Sequence, residues 1–121
     1  MDAFGPSLAA QGRVAWLITR GRASGRARGV AVGFVDEPDG SILVAANSAA
    51  TAWARNLQAH PEVTVRIGER AFEALAEPLD EAAHARAVGA LILRYGTPAE
   101  RLGRGPSFRL VPVADGPTEG A

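Results

Sequence analysis

Along most of the chain apolar and polar positions alternate in short runs, and in two places the spacing changes to that of a helix. Arg13 to Thr19 (R-V-A-W-L-I-T) is β-branched and aromatic with no helical cap, which predicts a strand. Gly29 to Asp36 predicts a second strand, and Asp36 to Ser41 (D-E-P-D-G-S) is turn chemistry with Pro and Asp-Gly together. Ser41 to Asn47 returns as a third strand, making a meander. Thr51 is an N-cap for a short helix over Ala52 to His60, which stops before Pro61. Trp53 and Leu57 form its apolar face, and Arg55 and Asn56 its polar one. Glu62 to Ile67 alternates, Gly68-Glu69 is a tight turn, and Arg70 to Glu77 alternates back. Asp80 opens the longest helix, with Glu81 in its first turn and Val88, Leu91, Ile92 and Tyr95 as the buried stripe. Gly96 to Pro106 is a loop carrying Arg101 and Arg104. Ser107 to Val113 is the closing strand, its end held to an edge by Pro112.

About six antiparallel strands and two helices predict an α+β fold with a small β-barrel core over residues 13–113. Residues 1–12, with Phe4 and Leu8, read as a short helix or loose arm. Residues 114–121 (A-D-G-P-T-E-G-A) read as a disordered tail.

A length of 121 residues suits one domain with a real core. Basic and acidic residues number 13 each, so net charge gives no case for binding nucleic acid or a membrane over the whole surface. Every one of those basic residues is arginine, and without lysine there is no Schiff-base mechanism. With no cysteine, disulfides, thiolate metal sites and cysteine catalysis are excluded. Two histidines, His60 and His84, argue against a histidine-rich metal site, and no metal is expected. No segment is apolar for long enough to span a bilayer and no signal pattern opens the chain, so a cytoplasmic protein is the expectation.

The chemistry concentrates in Thr19 to Arg28, T-R-G-R-A-S-G-R-A-R, between the first two strands. Its glycines permit turns in which successive amides converge on an anion, and its arginines offer planar donors charged at any working pH. The loop therefore reads either as a phosphate or acidic-tail cradle or as a solvated hairpin turn. Elsewhere the plain readings are structural. Trp53 anchors the short helix, Asn56 caps or bridges a loop, and Tyr95 packs its ring with the hydroxyl at the surface. His60 ends a helix, His84 is solvated, and Glu73 and Glu77 line a solvent face. No catalytic residue is identified.

The order of these motifs resembles the deazaflavin-dependent nitroreductase and quinone reductase family. Its loop T-x-G-[RK]-[KR]-S-G-x-x-R is matched by Thr19, Gly21, Arg22, Ser24, Gly25 and Arg28. A small-residue turn, Asn47-Ser48-Ala49, precedes the W-x-x-N-L-x-x-x-P-x-V-x-V pattern at Trp53, Asn56, Leu57, Pro61, Val63 and Val65. The resemblance implies a split β-barrel of the FMN-binding, pyridoxamine-phosphate-oxidase-like kind. It implies coenzyme F-420, a deazaflavin hydride carrier with a phosphate and an oligoglutamate tail. Arg22, Ser24, Gly25 and Arg28 would hold the phosphate, neighbouring arginines would attract the tail carboxylates, and Arg20 or Arg26 could stand in for the usual lysine. Ala46, Asn47 and Ser48 would lie close to the flat ring, Val30, Ala31 and Val32 would form its apolar bed, and Trp53 and Asn56 are further cofactor-binding candidates. Tyr95 would face the substrate. The chain departs from the pattern at Ala23, where a lysine is usual, at Ala31, where a proline is common, and in having a single tyrosine.

The implied activity is hydride transfer to a quinone, nitroaromatic or enone, in a homodimer. The alternatives are the same barrel holding FMN or haem, and a barrel that binds the coenzyme without turnover. Nucleic-acid binding is disfavoured by the balanced charge and the lack of an aromatic platform beside the loop.

Overall fold

A computed structural model of the chain describes residues 9–96 and 104–113. The expectations for residues 1–8 of the arm, for Arg101 and for the tail lie outside them. Seven strands and two helices lie wholly within the described residues, in the order β1 (Ala15–Arg20), β2 (Ala27–Val32), β3 (Val35–Asp36), β4 (Ile42–Ala45), α1 (Ala52–Ala59), β5 (Glu62–Ile67), β6 (Arg70–Pro78), α2 (Glu81–Tyr95) and β7 (Ser107–Pro112). All strands belong to one antiparallel sheet, ordered β2-β1-β5-β6-β7-β4-β3.

That order forces curvature. β2 and β3 are the two edges of the sheet, yet only Gly33 and Phe34 separate them in the chain. Flat, the edges of seven strands would stand about 29 Å apart at about 4.8 Å per neighbour. The step from Val32 to Val35 spans at most about 10 Å. The sheet is therefore curled until its edges meet, which is the expected split barrel. The single second strand expected over Gly29 to Asp36 is two strands. β1 pairs with β2 and β3 with β4, so both pairings of the predicted meander form, but the break at Gly33-Phe34 puts them on opposite edges of the sheet, and β4 takes β7 as its other neighbour. β7 is likewise interior to the sheet, between β6 and β4. Pro112 lies beyond the β4 register and pairs only with Ala74 of β6, so its missing N–H leaves no gap in the ladder.

Tyr95 secures the crossing. Its hydroxyl accepts from Phe34 N (3.1 Å) and donates to Arg13 O (2.8 Å), tying α2 to the crossover and to the approach to β1. A Cβ on Gly33 would stand 3.0 Å from the Tyr95 ring, so a side chain there would push the ring back by a few tenths of an ångström. The guanidinium of Arg94 stacks 4.3 Å from the Phe34 ring centroid.

Strand alternation then divides the faces. Ala15, Leu17 and Thr19 of β1 point inward, joining Val44, Val63, Val65, Phe108 and Leu110, while Trp16, Ile18 and Arg20 point outward. α1 closes the inner side with Trp53, Ala54 and Leu57, and Trp53 meets Phe108 at a 6.1 Å centroid distance. Thr51 precedes α1 as expected but makes no capping bond, because its hydroxyl donates to Asn47 Oδ1 (3.0 Å). α2 is capped by Asp80, which accepts from Ala83 N (2.8 Å), and covers the outer side of β3 and β4 through Leu91, Ile92 and Tyr95. Of its expected stripe only Leu91 is fully buried, and Ala87 joins it there. His84 is not simply solvated: its Nδ1 lies 2.7 Å from the hydroxyl of buried Ser107.

Two outcomes test this framework. Tyr95→Phe leaves the buried Phe34 amide without its acceptor and should cost about 1–3 kcal/mol in urea denaturation. Asp39 accepts from the hydroxyl (2.6 Å) and amide (2.9 Å) of fully buried Ser41. Those bonds, with Arg109 nearby, hold its carboxyl below the usual carboxylate range. The stabilisation it gives is therefore complete above the unfolded value of about 4 and lost as pH falls through the lower folded value. Asp39→Asn should be less stable than wild type at pH 7, and the difference should close in strong acid, read from urea midpoints across that range.

Candidate functional site

The barrel mouth beside the arginine loop opens into a groove of about 700 Å³. One wall is the loop itself, through Gly21, Arg22, Ala23 and Ser24. The floor is Arg28, Gly29 and Val30 of β2 with Thr19 of β1. The far wall is the start of α1, through Thr51, Ala52, Trp53 and Asn56.

Local chemistry shapes the loop. Gly21 N donates to Arg26 O (2.8 Å) and Gly25 N to Gly21 O (2.8 Å), closing a tight turn in which Gly25 takes a φ of 71°. That backbone region is open to glycine at no steric cost. Arg26 N donates to Ser24 Oγ (3.2 Å), and Arg22 N donates to Asn56 Oδ1 (3.2 Å). The amides at 21, 22, 25 and 26 are thus spent inside the protein. Among the described residues those of Ala23 and Ser24, both in the groove wall, have no protein acceptor. On the opposite wall the first-turn amides of α1 also lack a side-chain cap, and the positive end of the helix adds to the potential there.

Charge is strongly segregated. Residues 3–35 contain five arginines and no aspartate or glutamate, although the whole chain is neutral. No groove-lining residue is acidic. Among the described residues the ion pairs are Arg70–Asp36, Arg109–Glu37 and Arg109–Asp39, so Arg20, Arg22, Arg26 and Arg28 are all unpaired. Unneutralised guanidinium groups, open amides and an apolar patch from Val30, Ala52 and Trp53 make a site for a ligand with an anionic end and a flat apolar body. A deazaflavin or flavin phosphate has that form. Haem takes an axial histidine, cysteine, methionine or tyrosine, and none of these lines the groove.

Of the candidate residues, Arg22, Ser24, Arg28, Val30, Trp53 and Asn56 are brought together here. Arg20 and Gly25 instead line a smaller hollow of about 230 Å³ with Thr64 and Glu73, because Arg20 has the outward parity of β1. Val30, Ala31 and Val32 cannot share one face: Ala31 pairs with outward Trp16, and Val32 is in the core. Ala46 is buried, and Asn47 and Ser48 support the turn before α1 without lining the groove. Asn47 bonds Thr51, and Ser48 Oγ accepts from Ala50 N (3.1 Å). Tyr95 lines a third hollow, of about 400 Å³, with Arg13, Val14 and Arg94, and its hydroxyl is held by backbone. The groove also includes Thr19, Gly21, Ala23, Gly29, Thr51 and Ala52, which are not among the expected site residues. Thr19 has a sequence signal, since it opens the loop motif and ends the inward row of β1.

Among the described residues no helix is long and apolar enough to cross a membrane. No curated protein sequence matches the chain. Solved structures share the fold. HutZ, the heme storage protein from Vibrio cholerae, is 22% identical with a TM-score of 0.70, covering 90% of this chain and 87% of its own. An F-420-H2 dependent reductase, FDR-A, is 22% identical with a TM-score of 0.68, covering 81% and 93%. A protein solved as a domain-swapped dimer is 20% identical with a TM-score of 0.68, covering 87% and 92%. The family model described as F-420H(2)-dependent quinone reductase matches residues 4–102, a span that holds the arginine loop, all of α1 and the whole groove. The chain belongs to the F-420H(2)-dependent quinone reductase family and is an oxidoreductase of that kind.

Proposed function

We propose that the groove holds coenzyme F-420 and that the chain carries hydride from its reduced form to a small conjugated acceptor, a quinone, nitroaromatic or enone. The observation that carries this reading is the coincidence, in one groove, of two unpaired arginines, open amides and an apolar patch. Arg22, Arg28 and the amides of Ala23 and Ser24 would grip the phosphate. Arg26 and Arg20, exposed on the loop and its outer side, would attract the tail carboxylates by longer-range charge. Val30 and Trp53 would lie against the ring. When bound, the coenzyme supplies the hydride; the residues of the chain bind it, orient it and keep water from one side. Nothing in this division of labour calls for a nucleophile or a catalytic triad.

Each charge-assisted bond to the phosphate should matter by about tenfold or more in affinity. Arg22→Ala combined with Arg28→Ala should therefore raise the dissociation constant for F-420 by about a hundredfold or more, read by fluorescence titration. Arg70→Ala, in an exposed pair remote from the groove, should leave it unchanged. Unaltered affinity in the double variant would move the coenzyme elsewhere.

A homodimer is part of the same reading. α2 covers the outer side of β3 and β4, while Trp16 and Ile18 are only half-buried and Leu75 is 44% exposed. A second copy would cover these apolar side chains on the outer face of the sheet, in keeping with the fold neighbour solved as a domain-swapped dimer. Light scattering on the purified chain should give twice the 12.5 kDa chain mass, and a clean monomer would overturn the assignment.

A further inference from the structure

We infer that Asn56 is a positioning residue for Arg22 and makes no contact with the coenzyme itself; the inference rests on the reading that Arg22 meets the anionic end of that coenzyme. Asn56 is 5% exposed, on the same buried face of α1 as Trp53 and Leu57. Its Oδ1 accepts twice from one residue, Arg22, through the backbone N (3.2 Å) and the guanidinium Nη1 (3.0 Å). Its Nδ2 donates to Oγ1 of Thr19, itself 2% exposed at the end of β1 (3.2 Å). Both polar atoms of the side chain are therefore engaged within the protein.

The geometry has a purpose beyond joining a helix to a loop. A single oxygen holds both ends of Arg22, so that a long, flexible side chain is folded back over its own amide. The order that an anion would otherwise have to impose on this side chain is already present. The holder is also neutral. A carboxylate in the same place would accept the same two bonds, but it would cancel the charge of the guanidinium in a partly water-excluded setting. An amide fixes the direction of Arg22 and leaves its charge and its other N–H groups for the ligand.

The test is a double-mutant cycle in F-420 affinity, followed by coenzyme fluorescence, with circular dichroism confirming that each variant is folded. Arg22→Ala should weaken binding by about tenfold or more, and Asn56→Ala by about fivefold. In the Arg22→Ala background, Asn56→Ala should have an effect within about twofold of none, because what it positions is gone. Asn56→Asp, close to isosteric, should keep the fold and bind at least as weakly as Asn56→Ala; it also serves if the alanine variant does not fold. Additive losses, wild-type affinity in Asn56→Ala, or wild-type affinity in Asn56→Asp would each overturn the inference while leaving Arg22 at the coenzyme. Wild-type affinity in Arg22→Ala would instead overturn the placement of the coenzyme on Arg22.

Discussion

The structure depends on a short crossing. Two residues, Gly33 and Phe34, carry the chain from one edge of a seven-stranded sheet to the other. No flat sheet can satisfy that connection, so the barrel is a consequence of chain length. The crossing is a costly place to put backbone, because Phe34 is almost wholly buried and its amide needs an acceptor. Tyr95 supplies one from α2, and its ring packs closely over Gly33. A long helix that makes few fully buried contacts of its own is thereby tied to the closure of the sheet.

Closure also makes the site. Once the sheet is curled, the inward row of β1 ends at Thr19 and its β2 partner across the ladder is Arg28, so both arrive at the barrel mouth. α1 lies over that mouth because Trp53, Ala54 and Leu57 belong in the core, and the same helical face brings Asn56 against the arginine loop. The polar bridge from Thr19 through Asn56 to Arg22 is thus set by apolar packing on either side. A buried amide of this kind is stable only when its partners are in place, which makes the bridge a sensitive link between fold and site.

Electrostatically the chain is neutral only in sum. Among the described residues its acids lie on β3 and the β3–β4 turn, on β5, β6 and the turn between them, and at the start of α2, while the first hairpin carries arginine alone. Arg109 is taken up by Glu37 and Asp39 and Arg70 by Asp36, and among the described residues no ion pair reaches the loop arginines. The potential that an anionic ligand meets comes from this segregation and from the helix start opposite, not from net charge.

The sequence by itself determined the elements and the chemistry. Strand alternation, the limits of both helices, the Asp80 cap, the two-residue turn at Gly68-Glu69 and the arginine loop are local properties, and they stand where the pattern placed them, with β2–β3 and the missing Thr51 capping bond as the exceptions. Periodicity within a run says which residues share a face, and it already separates Ala31 from Val30 and Val32. It does not say which face is inside, nor which strands are neighbours. Those were decided by the tertiary structure, because the pairing of β4 with β7 and the interior place of β7 rest on contacts far apart in the chain. The same holds for Arg20 turning outward, for Tyr95 serving the crossing, and for Asn56, whose polar side chain is buried only because Arg22 and Thr19 come to meet it. A buried asparagine and an exposed one are identical in sequence; its partners, 34 and 37 residues away, make the difference.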